Sequence, residues 1–119
     1  MKKLAVSVDY TLQAVHLDPS ASEVAAFAVK WWEAGTGEAD NPHPVTTTLS
    51  VVSPLPSGVT AALSPTSIFM GAAGGEAQCG IKFSASKTAP PTNGATPVTV
   101  EMKSSAFTGF LIFYLTVWQ

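Results

Sequence analysis

Proline and glycine interrupt the chain often, and beyond residue 34 they leave few stretches long enough for an ordinary helix. Nine Gly and nine Pro are spread over 119 residues, and the stretches they separate are short and rich in Val, Thr, Phe, Trp and Leu. Proline removes a backbone donor, glycine weakens a helix interior, and β-branched and aromatic residues favour a pleated surface, so this pattern predicts short strands. Leu4, Val6 and Val8 alternate with Ala5 and Ser7, and a second stretch, Tyr10 to Leu17, runs to the break at Asp18-Pro19-Ser20. Further strands are expected at Val45 to Ser53, Val59 to Leu63, Ile68 to Met70, Ala77 to Ala85, Pro97 to Met102 and Phe107 to Trp118. Between them, Pro54 to Gly58 and Gly71 to Gly75 read as turns, Thr88 to Thr96 as a Pro/Asn/Gly connection, and Ala34 to Pro44 as a loop.

One segment is ambiguous. Ser20 followed by Glu23 has the spacing of a helical capping box, which would open a helix over Ser20 to Trp32. Phe27, Val29 and Trp31 alternate with Ala28, Lys30 and Trp32, however, and period two with an aromatic end favours a strand. The fold class expected is therefore all-β, an antiparallel β-sandwich of about seven to nine strands in one domain covering residues 1–119. Its core should draw on Leu49, Val51, Val59, Leu63, Ile81, Phe83, Val98, Val100, Leu111, Phe113 and Leu115.

Hydrophobic residues make up 46% of the chain and charged residues 12%, which excludes a disordered polypeptide. The basic residues are six lysines with no arginine, and the net charge is −2, so nucleic acid is not an expected partner. The single cysteine, Cys79, allows no intrachain disulfide, and its apolar strand position beside Gly80 marks it as structural. His16 and His43 are the two imidazoles, and no nucleophile, base or metal-ligand motif stands at a useful spacing. Catalytic residues, a bound metal and a cofactor are all expected to be none. Glu33, Glu38, Asp40, Asn41 and His43 lie in or beside one loop but lack the spacing of a calcium loop, and Gly71 to Gly75 lacks the Lys-Ser/Thr of a phosphate loop. Leu4 to Val8 is interrupted by Ser7 and stopped by Asp9, too short for a signal peptide's apolar core of about 7 to 15 residues. Phe107 to Trp118 falls well below the roughly 20 residues of a spanning helix, so no membrane insertion is expected.

The runs Val45-Thr46-Thr47-Thr48-Leu49-Ser50-Val51-Val52-Ser53, Leu55-Pro56-Ser57-Gly58-Val59-Thr60-Ala61 and Leu63-Ser64-Pro65-Thr66-Ser67-Ile68 follow one another in an order that resembles bacterial immunoglobulin-like (Ig-like) domains. The resemblance covers roughly Leu4 to Val117, with the first forty residues following it loosely. It continues in Thr88-Ala89-Pro90-Pro91, Pro97-Val98-Thr99-Val100 and Leu115-Thr116-Val117. The Trp31-Trp32 pair, the acidic two-proline loop and the very apolar last strand depart from the pattern. The resemblance implies an Ig-like β-sandwich of the kind that serves as a spacer, binding or accessory domain in surface proteins and secreted hydrolases and that occurs on tailed-phage virions.

The last strand is apolar on both sides. Leu111, Phe113, Leu115 and Val117 point one way and Phe110, Ile112, Tyr114 and Trp118 the other, whereas a sandwich strand ordinarily keeps one face polar. Trp32 likewise points away from Trp31, the better core residue. Two readings follow: loops or the N-terminal segment cover Tyr114 and Trp118, or Trp32, Phe110, Ile112, Tyr114 and Trp118 are candidate interface residues. The function expected is a non-enzymatic structural module acting through protein contacts. Specifically, it would be a bacteriophage virion component, a capsid decoration or tail accessory protein made in the host cytoplasm without a signal peptide. Its partners would be itself or other virion structural proteins. The alternative is an accessory module of a bacterial surface protein or secreted hydrolase, extracellular, binding a surface glycan through exposed aromatics.

Overall fold

The computed structural model describes residues 2–35, 45–71, 74–105 and 107–118. Among these residues nine strands run in order: β1 (Lys2–Tyr10), β2 (Ala14–Leu17), β3 (Ser22–Gly35), β4 (Val45–Val51), β5 (Val59–Ser64), β6 (Ser67–Met70), β7 (Gly75–Ala85), β8 (Thr96–Lys103) and β9 (Thr108–Val117). They form a four-stranded sheet, β1-β3-β7-β5, and a five-stranded sheet, β2-β9-β8-β4-β6. No helix occurs among the described residues, so the capping box at Ser20 is not used. Ser20 instead takes a left-handed turn (φ 68°), and β3 extends for 14 residues, because Ala25, Phe27, Val29 and Trp31 bury alternate positions.

Each sheet turns one side inward, and the inner sides pack on each other. Phe113 of β9 sits between Phe27 of β3 and Phe83 of β7, with ring centroids 5.5 and 6.4 Å apart. Nine of the eleven expected core residues are buried, and Val51 and Leu63 are half-buried with their side chains against the core. Thr47, the buried polar residue of this core, donates its hydroxyl to Met70 Sδ at 3.3 Å. The exposed area, 6397 Å², matches the roughly 6,000 Å² that surface scaling gives for this mass. The molecule is a rod of 55 × 20 × 20 Å, and β3, at about 3.4 Å per residue, runs most of its length.

Two strand expectations change. The stretch Tyr10 to Leu17 is not one strand: Tyr10 ends β1, residues 11–13 cross between sheets, and β2 begins at Ala14. Pairing is not antiparallel throughout, since β2 lies parallel to β9, Ala14 opposite Tyr114 and Leu17 opposite Val117. The cause is connectivity: the amides of Thr11 and Leu12 both donate to Ala26 O as the chain leaves β3's side, and it continues in its original direction onto the other sheet's edge.

Candidate protein interface

The outer side of the five-stranded sheet is where the sequence places unusual chemistry. On β9 the residues facing in are Leu111, Phe113, Leu115 and Val117, all buried, so the alternate set faces out. Phe110 is 60% exposed, Ile112 39%, Tyr114 43% and Trp118 51%. The register sets Glu101 beside Phe110, Thr99 beside Ile112 and Pro97 beside Tyr114 on β8, with Ala14 beside Tyr114 on β2. Glu101 and Lys103 are the formal charges that the outward positions of these five strands carry; the rest are Thr, Ser, Ala, Pro, His, aromatic or Ile112. The four-stranded sheet is different. Its outward positions include Asp9, Lys30, Glu76 and Lys82, and Lys30 Nζ lies 2.8 Å from Asp9 Oδ2. That hydrogen bond and the Asp9 charge raise the Lys30 pKa above its ordinary value.

The N-terminal segment reaches the stripe without covering it. Gln13 Nε2 donates to Ile112 O at 2.9 Å, the Ile112 amide donates to Tyr10 Oη at 3.3 Å, and the Tyr114 amide donates to Gln13 O. These bonds close the edge of β9 where β2 stops. Trp118 stacks on His16 at 5.3 Å and 22°, the one ring-to-ring contact that the stripe's aromatics make among the described residues. Beyond Phe110, the seam between β1 and β9 opens as a groove of about 440 Å³ lined by Val6, Val8, Met102 and Phe107 together with the hydroxyl residues Ser7 and Thr108.

Trp32 does not join this surface. It is 45% exposed on the four-stranded sheet, whose outer side faces the opposite direction, because β3 belongs to that sheet and Trp31 takes the inward position. One residue that the sequence reading missed does lie on the stripe's side: Phe69 of β6, 65% exposed, opposite Thr46. Its signal was the alternation of Ile68 and Met70, both buried, around it.

Cys79 lies on the inner side of β7, its Sγ 3.7 Å from Ala77 O, and burial pushes its thiol pKa up, away from the reactive thiolate. Among the described residues no three or more His, Cys, Asp or Glu side chains come together as a metal site. Of the acidic loop and its flank, Glu33 lies within β3 opposite Leu4 of β1, while Glu38, Asp40, Asn41 and His43 lie outside the described residues. No described helix is long and apolar enough to cross a membrane.

The class that fold and face define is an all-β domain of two packed sheets with one apolar outer side. No protein-family model matches the chain, and neither does any curated protein. Among solved structures, a family 123 glycoside hydrolase from Clostridium perfringens, described for its hydrolysis of glycolipid glycans, is similar with a TM-score of 0.51 at 10% identity. The match takes in 97% of this chain and 27% of that one, so the chain corresponds to about a quarter of the enzyme and the likeness speaks to fold.

Proposed function

We propose that the chain is a non-enzymatic structural module, an Ig-like β-sandwich working through protein contacts, and that its setting is a bacteriophage virion, as a capsid decoration or tail accessory protein made in the host cytoplasm. The fold assignment is supported by strand order. The four-stranded sheet β1-β3-β7-β5 follows the A-B-E-D order of immunoglobulin sheets, and β9-β8-β4 follows G-F-C. The observation that carries the functional reading is the stripe on β9. Full burial of such side chains stabilises by roughly 1.5 to 3 kcal/mol each, so half-wet side chains at four positions leave on the order of 3 to 6 kcal/mol unrealised in the free chain. A neighbouring subunit recovers it. The virion setting comes from the family resemblance and from a side of the molecule with little charge to keep it solvated.

The test is the mass of the particle that holds the chain when purified natively. Recovery within a large assembly, and its loss in Tyr114→Asp with little change in melting temperature, are the expected results. A monodisperse monomer with no larger assembly in its native source would refute the reading. A second reading, an accessory module of a secreted hydrolase or surface protein binding a surface glycan, is favoured by the glycoside hydrolase likeness and by exposed Trp32. It predicts a sugar-induced change in Trp fluorescence that Trp32→Ala abolishes.

A further inference from the structure

We infer that what covers the stripe is a second copy of this chain, the two five-stranded sheets stacked face to face through β9; this rests on the interface reading above and names its partner. Shape is the first reason. Phe110, Ile112 and Tyr114 stand two residues apart along one strand, and a row of evenly spaced side chains overlaps itself under a two-fold rotation. Ile112 then meets Ile112 of the partner subunit, and Phe110 meets Tyr114 of the partner subunit, an aromatic pair.

Charge is the second reason. Glu101 and Lys103 sum to zero, so two copies approach without a like-charge penalty, whereas a partner chosen by charge would need a face of one sign. The four-stranded sheet is the weaker candidate, since Asp9, Lys30, Glu76 and Lys82 stand among its exposed Val24 and Trp32 and keep that side hydrated.

Area is the third. With about 150–250 Å² for an aromatic side chain, the exposed parts of Phe110, Ile112 and Tyr114, the residues this two-fold pairs, amount to roughly 250–300 Å² per copy. Stacking removes roughly 550 Å² from two stripes, and the bordering Ala14, Pro97 and Thr99 bring the total to about 800 Å², the size of a weak, transient interface. The dimer is therefore reversible, populated at high concentration and dissociating on dilution.

Sedimentation equilibrium of the purified full chain tests this. The expected result is a dimer at about 100 μM that dissociates on dilution, with a dissociation constant in the micromolar range. Ile112→Asp raises that constant on the order of 100-fold or more, because the two-fold axis places two carboxylates at the contact. Phe110→Lys does the same at a more exposed position, which preserves the test if Ile112→Asp fails to fold. Val24→Asp, on the outer side of the other sheet, leaves the dimer intact. A wild-type chain that stays monomeric at about 100 μM, or a dimer broken by Val24→Asp and not by the β9 variants, would overturn the inference. A monomer that is still recovered in particles sinks the dimer and leaves the virion reading standing. A dimer absent from any larger assembly does the reverse.

Discussion

At the scale of single residues, the core tolerates little change where a ring meets backbone. A Cβ added at Gly75 would lie 2.7 Å from Cζ2 of Trp31, whose ring is held in the core, so Gly75→Ala should lower stability by about 1–3 kcal/mol in chemical denaturation. Gly58 is constrained twice, by φ 76° and by Ser86 Oγ 2.7 Å from where its Cβ would stand. Cys79 gives a pH prediction with a definite sign. Its folded thiol titrates above its ordinary value of 9.0, so as pH rises past that range the unfolded chain loses its thiol proton first and stability falls. Below that range the contribution is absent. A thiol reagent at neutral pH should accordingly react with denatured protein and leave the native protein almost untouched, and stoichiometric labelling of the native state would contradict the burial assigned to Cys79.

At the scale of elements, β9 separates the two roles its residues play. Phe113→Ala removes a ring packed against Tyr10, Phe27 and Phe83 and should cost about 3–5 kcal/mol. Phe110→Ala, three positions away on the other side, should change stability far less, within roughly 1 kcal/mol, because that ring is mostly in water already. Thermal denaturation of the two variants decides whether the strand has one core face or two; equal losses would make the stripe ordinary core. The edge of β9 depends on a relay from the crossing segment, and Gln13→Ala, which leaves Ile112 O without its side-chain donor, should increase amide exchange at Ile112 and Tyr114.

For the whole molecule, function follows from an asymmetry between two outer sides. The side with Asp9, Lys30, Glu76 and Lys82 is an ordinary hydrated sheet surface, and the Lys30–Asp9 pair on it is too exposed to matter much for stability. The side with the β9 stripe is sparsely charged and apolar over roughly 400 Å², at the size where monomer patches become functional. Far-UV circular dichroism should show a β-sheet spectrum with less than about 10% helix, as the absence of helix among the described residues requires. Assembly should track the β9 side, with Tyr114→Asp reducing recovery in the native particle while the melting temperature moves by only a few degrees.

Strand positions and inward faces were legible from the sequence, because alternation is local: Ile81 and Phe83, or Leu111, Phe113 and Leu115, declare a buried side by period two wherever the strand later docks. The same signal exposed the stripe Phe110, Ile112 and Tyr114. Which sheet each strand joins is settled by hydrogen bonds between distant residues, such as Gln13 to Ile112, 99 positions apart, and no local pattern encodes them. Tertiary structure alone therefore divided Tyr10 to Leu17 between two sheets and ran β2 parallel to β9. It also sent Trp32 to the side opposite the stripe and brought Phe69 onto the stripe's side. Alternation tells a side chain only that it points away from the core; the order of strands in the sheets decides which other outward side chains share its surface.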